Sequence, residues 1–169
     1  MTEGPEVNIS SQEEHEQHLE IERKFLVIKP PKNLEQYSSE KIVQGYLAIV
    51  PDGTEVRLRQ DDDHCYLTVK SGGGKIRQEL NVTITKEQFE GLWTATRDRV
   101  LEKVRYKIPY QGYLIELDIY AGKLAGHITA EVEFKDHKSC DDFIPPEWFD
   151  QEVTEDKRYK NQSLASVGL

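Results

Sequence analysis

Apolar residues recur at every second position through much of this chain, and the positions between them carry charge. Leu19-Glu20-Ile21-Glu22-Arg23-Lys24-Phe25-Leu26-Val27 sets the pattern. Successive side chains of a strand point to opposite faces, so Leu19, Ile21, Phe25 and Val27 share one face while Glu20, Glu22 and Lys24 share the other. Arg23 is the one polar residue on the apolar side. The same alternation returns in Val43-Gln44-Gly45-Tyr46-Leu47, in Val56-Arg57-Leu58-Arg59 and in Tyr66-Leu67-Thr68-Val69-Lys70. It continues at 77–84, 103–108, 114–119 and 130–134, which predicts about eight strands. Turn-forming residues at 51–53, 71–74, 109–112 and 122–126 separate several of them. Helical signals are fewer. Thr85-Lys86-Glu87-Gln88 has capping-box spacing, and Phe89, Leu92, Trp93 and Thr96 follow on one helical face. A short helix is expected to end near Phe143, before Ile144-Pro145-Pro146, and Thr154 is placed to cap a last helix carrying Asp156, Lys157, Arg158 and Tyr159.

The polar faces hold fixed charge in same-sign pairs: Arg57 with Arg59, Lys103 with Arg105 and Lys107, Glu116 with Asp118, Glu131 with Glu133. Like charges two apart on a strand repel, so each pair lowers stability unless opposite charge sits between them. Cations for the carboxylates and a polyanion for the basic groups would remove that cost. A salt-bridge ladder between neighbouring strands would remove it equally well. Glu20 and Glu22 are spaced to hold a hard divalent cation, with the Lys24 ammonium on a phosphate sharing it; a solvated strand face reads the same.

At 169 residues the chain fits one domain with room for a sizeable core. Its net charge of −9 argues against a duplex nucleic-acid partner, although not against a small anion. Five of those negative charges (Glu3, Glu6, Glu13, Glu14 and Glu16) fall in residues 1–18, which contain no Lys or Arg. That stretch reads as a disordered acidic tail, followed by a single domain over 19–169. It has neither the basic start nor the apolar run of a secretory signal, and no segment approaches the roughly 18 apolar residues of a membrane span. Cys65 and Cys140 make no disulfide framework and no metal-type spacing, so a reducing cytoplasm is the expected compartment. Ser71-Gly72-Gly73-Gly74-Lys75 lacks the spacing of a P-loop and fits a hairpin turn better.

Glu20-Ile21-Glu22-Arg23-Lys24 resembles the Glu-x-Glu-x-Lys signature of the CYTH superfamily, the triphosphate tunnel metalloenzymes. Later pairs agree in order: Arg57-x-Arg59, Lys70, Arg77 with Glu79, Lys103-x-Arg105, Glu116-x-Asp118 and Glu131-x-Glu133. The likeness runs from about Leu19 to Leu164 and is greatest to the short bacterial members that hydrolyse inorganic tripolyphosphate. It implies a mainly β fold, an eight-stranded antiparallel closed β-barrel with flanking helices and a C-terminal helix, whose charged faces line a tunnel. A dry core could not hold roughly sixteen charges, so such a tunnel must be wet, metal-filled or ligand-filled.

By the same resemblance Glu20, Glu22, Glu116, Asp118, Glu131 and Glu133 would stand on the metal side, some reaching Mg²⁺ or Mn²⁺ through water. Lys24, Arg57, Arg59, Lys70, Arg77, Lys103 and Arg105 would hold the triphosphate oxygens. Tyr46, beside Lys103 in similar tunnels, would help activate the attacking water or steer cleavage, and Lys157 would close one mouth. The implied reaction is metal-dependent hydrolysis of tripolyphosphate to diphosphate and phosphate by a monomer or homodimer, with no nucleic acid and no membrane involved. A thiamine-triphosphatase or a class IV adenylate cyclase would use the same lining, and so would a non-catalytic polyphosphate or nucleotide sensor. Two departures stand out. Asn81 sits where similar sequences often carry a second acid, and the extension before Leu19 has no counterpart in the shortest members.

Overall fold

A computed structural model describes residues 21–71 and 78–168. The acidic tail, Glu20, Arg77 and the glycine-rich turn after Ser71 lie outside those residues. Eight antiparallel strands form one sheet: β1 (Ile21–Leu26), β2 (Ser38–Ile49), β3 (Glu55–Asp61), β4 (His64–Ser71), β5 (Gln78–Ile84), β6 (Val100–Tyr110), β7 (Tyr113–Tyr120) and β8 (Ile128–Phe134). Their spatial order is β1-β8-β7-β6-β2-β3-β4-β5. All eight alternating segments are therefore strands.

The sheet curls until side chains from every strand line one cavity, yet it does not close. Among the described residues no ladder joins β1 to β5, which corrects the expectation of a closed barrel. The reason lies on the outer edge of β1. Leu26 N–H donates to the Gln151 carbonyl (2.9 Å), Asp150 N–H to the Leu26 carbonyl (2.8 Å) and Val153 N–H to the Lys24 carbonyl (2.8 Å). Lys24 N–H donates to the Thr154 hydroxyl. Residues 150–154 thus occupy the bonding groups that β5 would need. Thr154 is spent on this edge and caps no helix; Asp156 caps a 3-10 turn at Lys157–Tyr159, and the last helix, α3, spans Asn161–Val167.

Apolar positions of the strands face outward under two covers. Helix α1 (Lys86–Trp93), with the expected Thr85/Gln88 capping box, lays Phe89 and Trp93 over Leu58, Cys65 and Leu67. Its close approach requires Gly45, where an added Cβ would lie 2.6 Å from Thr96 Cγ2. On the other half, α2 (His137–Asp142) and the chain to Phe149 cover Phe25, Ile115, Leu117, Val132 and Phe134, with Phe143 and Phe149 packed on Phe25. Arg23 crosses this cover. Its guanidinium bonds both Glu152 oxygens, reaches the Cys140 and Phe143 carbonyls, and lies 5.0 Å from the Phe25 ring centre, so the polar intruder fastens the cover to β1.

One end of the inner space is apolar. Tyr46, Leu101, Tyr120 and Leu124 receive Leu164 and Ala165 of α3, and the Tyr120 hydroxyl donates to Asn161 Oδ1 at 2.7 Å. Helix α3 therefore seals that end and leaves the charged interior open toward the other.

Candidate active site

Period 2 aims the charged residues inward, and the register decides which of them meet. β1 contributes Glu22 and Lys24, β8 contributes Glu131 and Glu133, and β7 contributes Glu116. Across β1 and β8 the partners are Glu22 with Glu133 and Lys24 with Glu131; across β7 and β8, Glu116 faces Glu131. The basic wall comes from Arg57 and Arg59 on β3, Lys70 on β4, and Lys103 and Arg105 on β6. The cavity volume is about 200 Å³. That suits a small polyanion and excludes a macromolecule.

The two signs interlock. Arg105 donates from Nε to Asp118 Oδ1 (2.7 Å), from Nη2 to Asp118 Oδ2 (2.7 Å) and to Glu131 (3.2 Å), and from Nη1 to Glu116. Lys103 Nζ donates to Asp118 at 2.5 Å, and Lys24 Nζ lies 2.8 Å from Glu131. Lys70 pairs with Glu79 at 2.5 Å, which also draws Arg57 to 3.5 Å. Glu40 bridges Arg59 (3.6 Å) and Lys107 (3.4 Å). The salt-bridge ladder allowed by the charge pattern is therefore real, but it is incomplete: the buried Nε atoms of Arg57 and Arg59 have no hydrogen-bond partner. The guanidinium groups of Arg57 and Arg59 line the cavity and offer charge to an incoming anion.

Burial and neighbouring charge set the protonation states. Burial would raise the Glu131 carboxyl, but Lys24, Lys103 and Arg105 hold it well below the carboxylate range. Burial raises Glu116, and Asp118, Glu131 and Glu133 add to the rise against Arg105. Burial pushes Lys103 down to about 8 although Asp118 pulls the other way. The Tyr46 phenol is driven up by burial, then by Glu55.

The structure gathers most of the sequence-predicted residues but separates a few. Asp118 is fully buried beneath Lys103 and Arg105 and does not reach the cavity surface. Lys157 stands exposed on its 3-10 turn, whereas Lys160, three residues on, lines the cavity. Tyr46 is engaged by Gln44, while Lys103 is engaged by Asp118 and lies 5.6 Å from the Tyr120 ring centre. Asn81 donates to Glu79 and accepts from Thr68, so a neutral amide braces the acid beside it. Glu55, Asp156 and Lys160 also line the cavity. Glu55 shares the phase of Arg57 and Arg59, so extending the β3 alternation by one step would have found it; Asp156 and Lys160 arrive on a loop with no periodic signal.

Comparison with known proteins agrees with this geometry. An inorganic triphosphatase from Nitrosomonas europaea is 49% identical over 148 residues, covering 86% of this chain and 96% of the relative. Another, from Acetivibrio thermocellus, is 35% identical over 149 residues, covering 86% and 92%. The crystal structure of the inorganic triphosphatase NE1496 superimposes with a TM-score of 0.70 at 46% identity, over 86% of this chain and 93% of that one. The sequence profile of the CYTH domain matches residues 18–163. With inward charge on eight curled strands and most of its length matched to that profile, the chain belongs to the CYTH domain family.

Proposed function

We propose that the chain hydrolyses inorganic tripolyphosphate to diphosphate and phosphate in this cavity with the help of a divalent cation, Mg²⁺ or Mn²⁺. The observation that carries the reading is the convergence of five basic side chains of β3, β4 and β6 on a small space whose facing wall is acidic. Two relatives that bear the name inorganic triphosphatase support it.

The donors fit a divalent cation. Glu22 and Glu133 face each other across β1 and β8, a like-charge contact that costs stability unless positive charge joins it. Glu116 lies one step diagonally from Glu133, and its carboxyl is raised by burial first and then by Asp118, Glu131 and Glu133. Among the described residues no three His, Cys, Asp or Glu side chains are grouped closely enough to hold a metal ion by themselves. Mg²⁺ takes one or two carboxylates and completes its shell with water and phosphate oxygens. Glu22 and Glu133 would hold it, with Glu116 reaching it through water, and Asp118 would serve by orienting Lys103 and Arg105. Such a cation supplies Lewis-acid polarisation of phosphate oxygens and a more acidic bound water.

Phosphoryl transfer asks the protein mainly for positioning and charge stabilisation. Arg57, Arg59 and Lys70 bind and orient the polyanion, the guanidinium groups in bidentate fashion. Lys103 and Arg105, held by Asp118, neutralise charge on the group being transferred. A water oxygen forms the new bond to phosphorus, the bridging P–O bond breaks, diphosphate leaves and the proton passes to solvent.

Phosphate release from tripolyphosphate, thiamine triphosphate and ATP, each with Mg²⁺ or Mn²⁺, tests the reading. Tripolyphosphate should turn over fastest. Equal turnover of ATP refutes the substrate assignment, and binding without turnover of any of the three makes the chain a sensor.

A further inference from the structure

The phenol of Tyr46 is 1% exposed. Gln44 Nε2 donates to its oxygen at 2.9 Å, and Arg57 stands beside it on the neighbouring strand. The sheet builds this arrangement: Gln44 and Tyr46 are two apart on β2 and so share the inner face, and Tyr46 is the cross-strand partner of Arg57. Gln44 is itself 2% exposed, opposite Arg59. A phenol oxygen accepts through its lone pairs and donates one hydrogen. With Gln44 donating to the oxygen, the Tyr46 hydrogen points away from that amide, toward the cavity that Tyr46 lines.

We infer that Gln44 is a positioning residue, which fixes the Tyr46 hydroxyl as a hydrogen-bond donor to an oxygen of the bound polyphosphate. The inference rests on the triphosphate reading above. It gives Tyr46 a different duty from activating water: a phenol that accepts from Gln44 presents its own hydrogen to the substrate. Arg57, the cross-strand neighbour, does not do this work. Its guanidinium is drawn instead by Glu79 and Glu55.

The test is a double-mutant cycle on steady-state hydrolysis of tripolyphosphate with Mg²⁺. Gln44→Met keeps length and volume and removes the donor. Tyr46→Phe removes the hydroxyl. Each alone should lower kcat/KM about tenfold, the size of one hydrogen bond to a charged group, and the double variant should lose little beyond Tyr46→Phe. Additive losses overturn the inference, since Gln44 would then touch substrate itself or merely support the fold. Gln44→Met at parental activity overturns it as well. Thermal melting checks folding, and Gln44→Asn, whose shorter amide falls short of the hydroxyl, replaces Gln44→Met if the latter melts early. Absence of turnover in the unsubstituted protein overturns the triphosphate reading and this role together, whereas turnover with additive losses overturns this role alone.

Discussion

Asp118→Asn isolates the buried centre of the charge network. The parent carboxylate is fully buried and takes one bond from Lys103 and two from Arg105, at 2.5 to 2.7 Å. Those two cations offset the cost of burying it and hold its pKa below the usual value. Asparagine has nearly the same shape and leaves one carbonyl oxygen as acceptor, so packing changes little. The charge does not survive: Lys103, 2% exposed, and Arg105 must then share Glu116 and Glu131. Removing one partner of a buried ion pair costs about 3–5 kcal/mol, and the retained acceptor places this variant near the lower end, about 3 kcal/mol. Against a total stability of about 5–15 kcal/mol that is a large loss. Urea denaturation should show a lower midpoint at unchanged slope. In a Lys103→Met background the same substitution should cost less, because one of the stranded cations is gone. A variant within about 1 kcal/mol of the parent would refute the reasoning, since the buried cations would then have needed no counter-charge.

Three further outcomes follow from other parts of the molecule. Gly45→Ala should destabilise by about 1–3 kcal/mol in the same assay, because its methyl would meet Thr96 and Trp93 under α1. Burial, then the Lys24 charge, lowers the pKa of His127, whose Nε2 is unpartnered and whose ring lies between Tyr120 and Tyr159; the unfolded chain therefore takes up a proton near its ordinary pKa of about 6.5 before the folded one does. Stability from this group is complete above that pH and falls as pH drops through it toward the folded value, and the slope should flatten in His127→Gln. Glu22→Ala should cut cation-dependent hydrolysis at least ~100-fold while the melting midpoint holds, because Glu22 lies exposed at the cavity rim; retained activity would remove β1 from the proposed cation site.

The strands were legible because each carries its own period, and a short window suffices to read it. α1 was legible for a similar reason, since Thr85 and Gln88 write its start within four residues. Arg23 was visible as an anomaly, but its partner Glu152 lies 129 residues away, and no local pattern names it. Thr154 shows the same limit from the other side. A threonine ahead of Asp156 looks like a cap from its neighbours alone, yet a strand edge 130 residues distant claims its hydroxyl. Charge alternation likewise revealed that Asp118 faces inward without revealing that two cations would cover it. Phase along a strand reports the face; only the register across strands reports depth.

The backbone bonds between β1 and residues 150–154 also bear on how the chain assembles. The first described strand is made early in synthesis, and the segment that satisfies its outer edge is made near the end. Until then that row of N–H and C=O groups is an open template for pairing with another chain. Contacts of such long sequence separation carry the full cost of loop closure and form slowly. A chain cut short before Asp150 would retain all eight strands and most of the charged lining, and its weakness would be self-association along the uncovered edge.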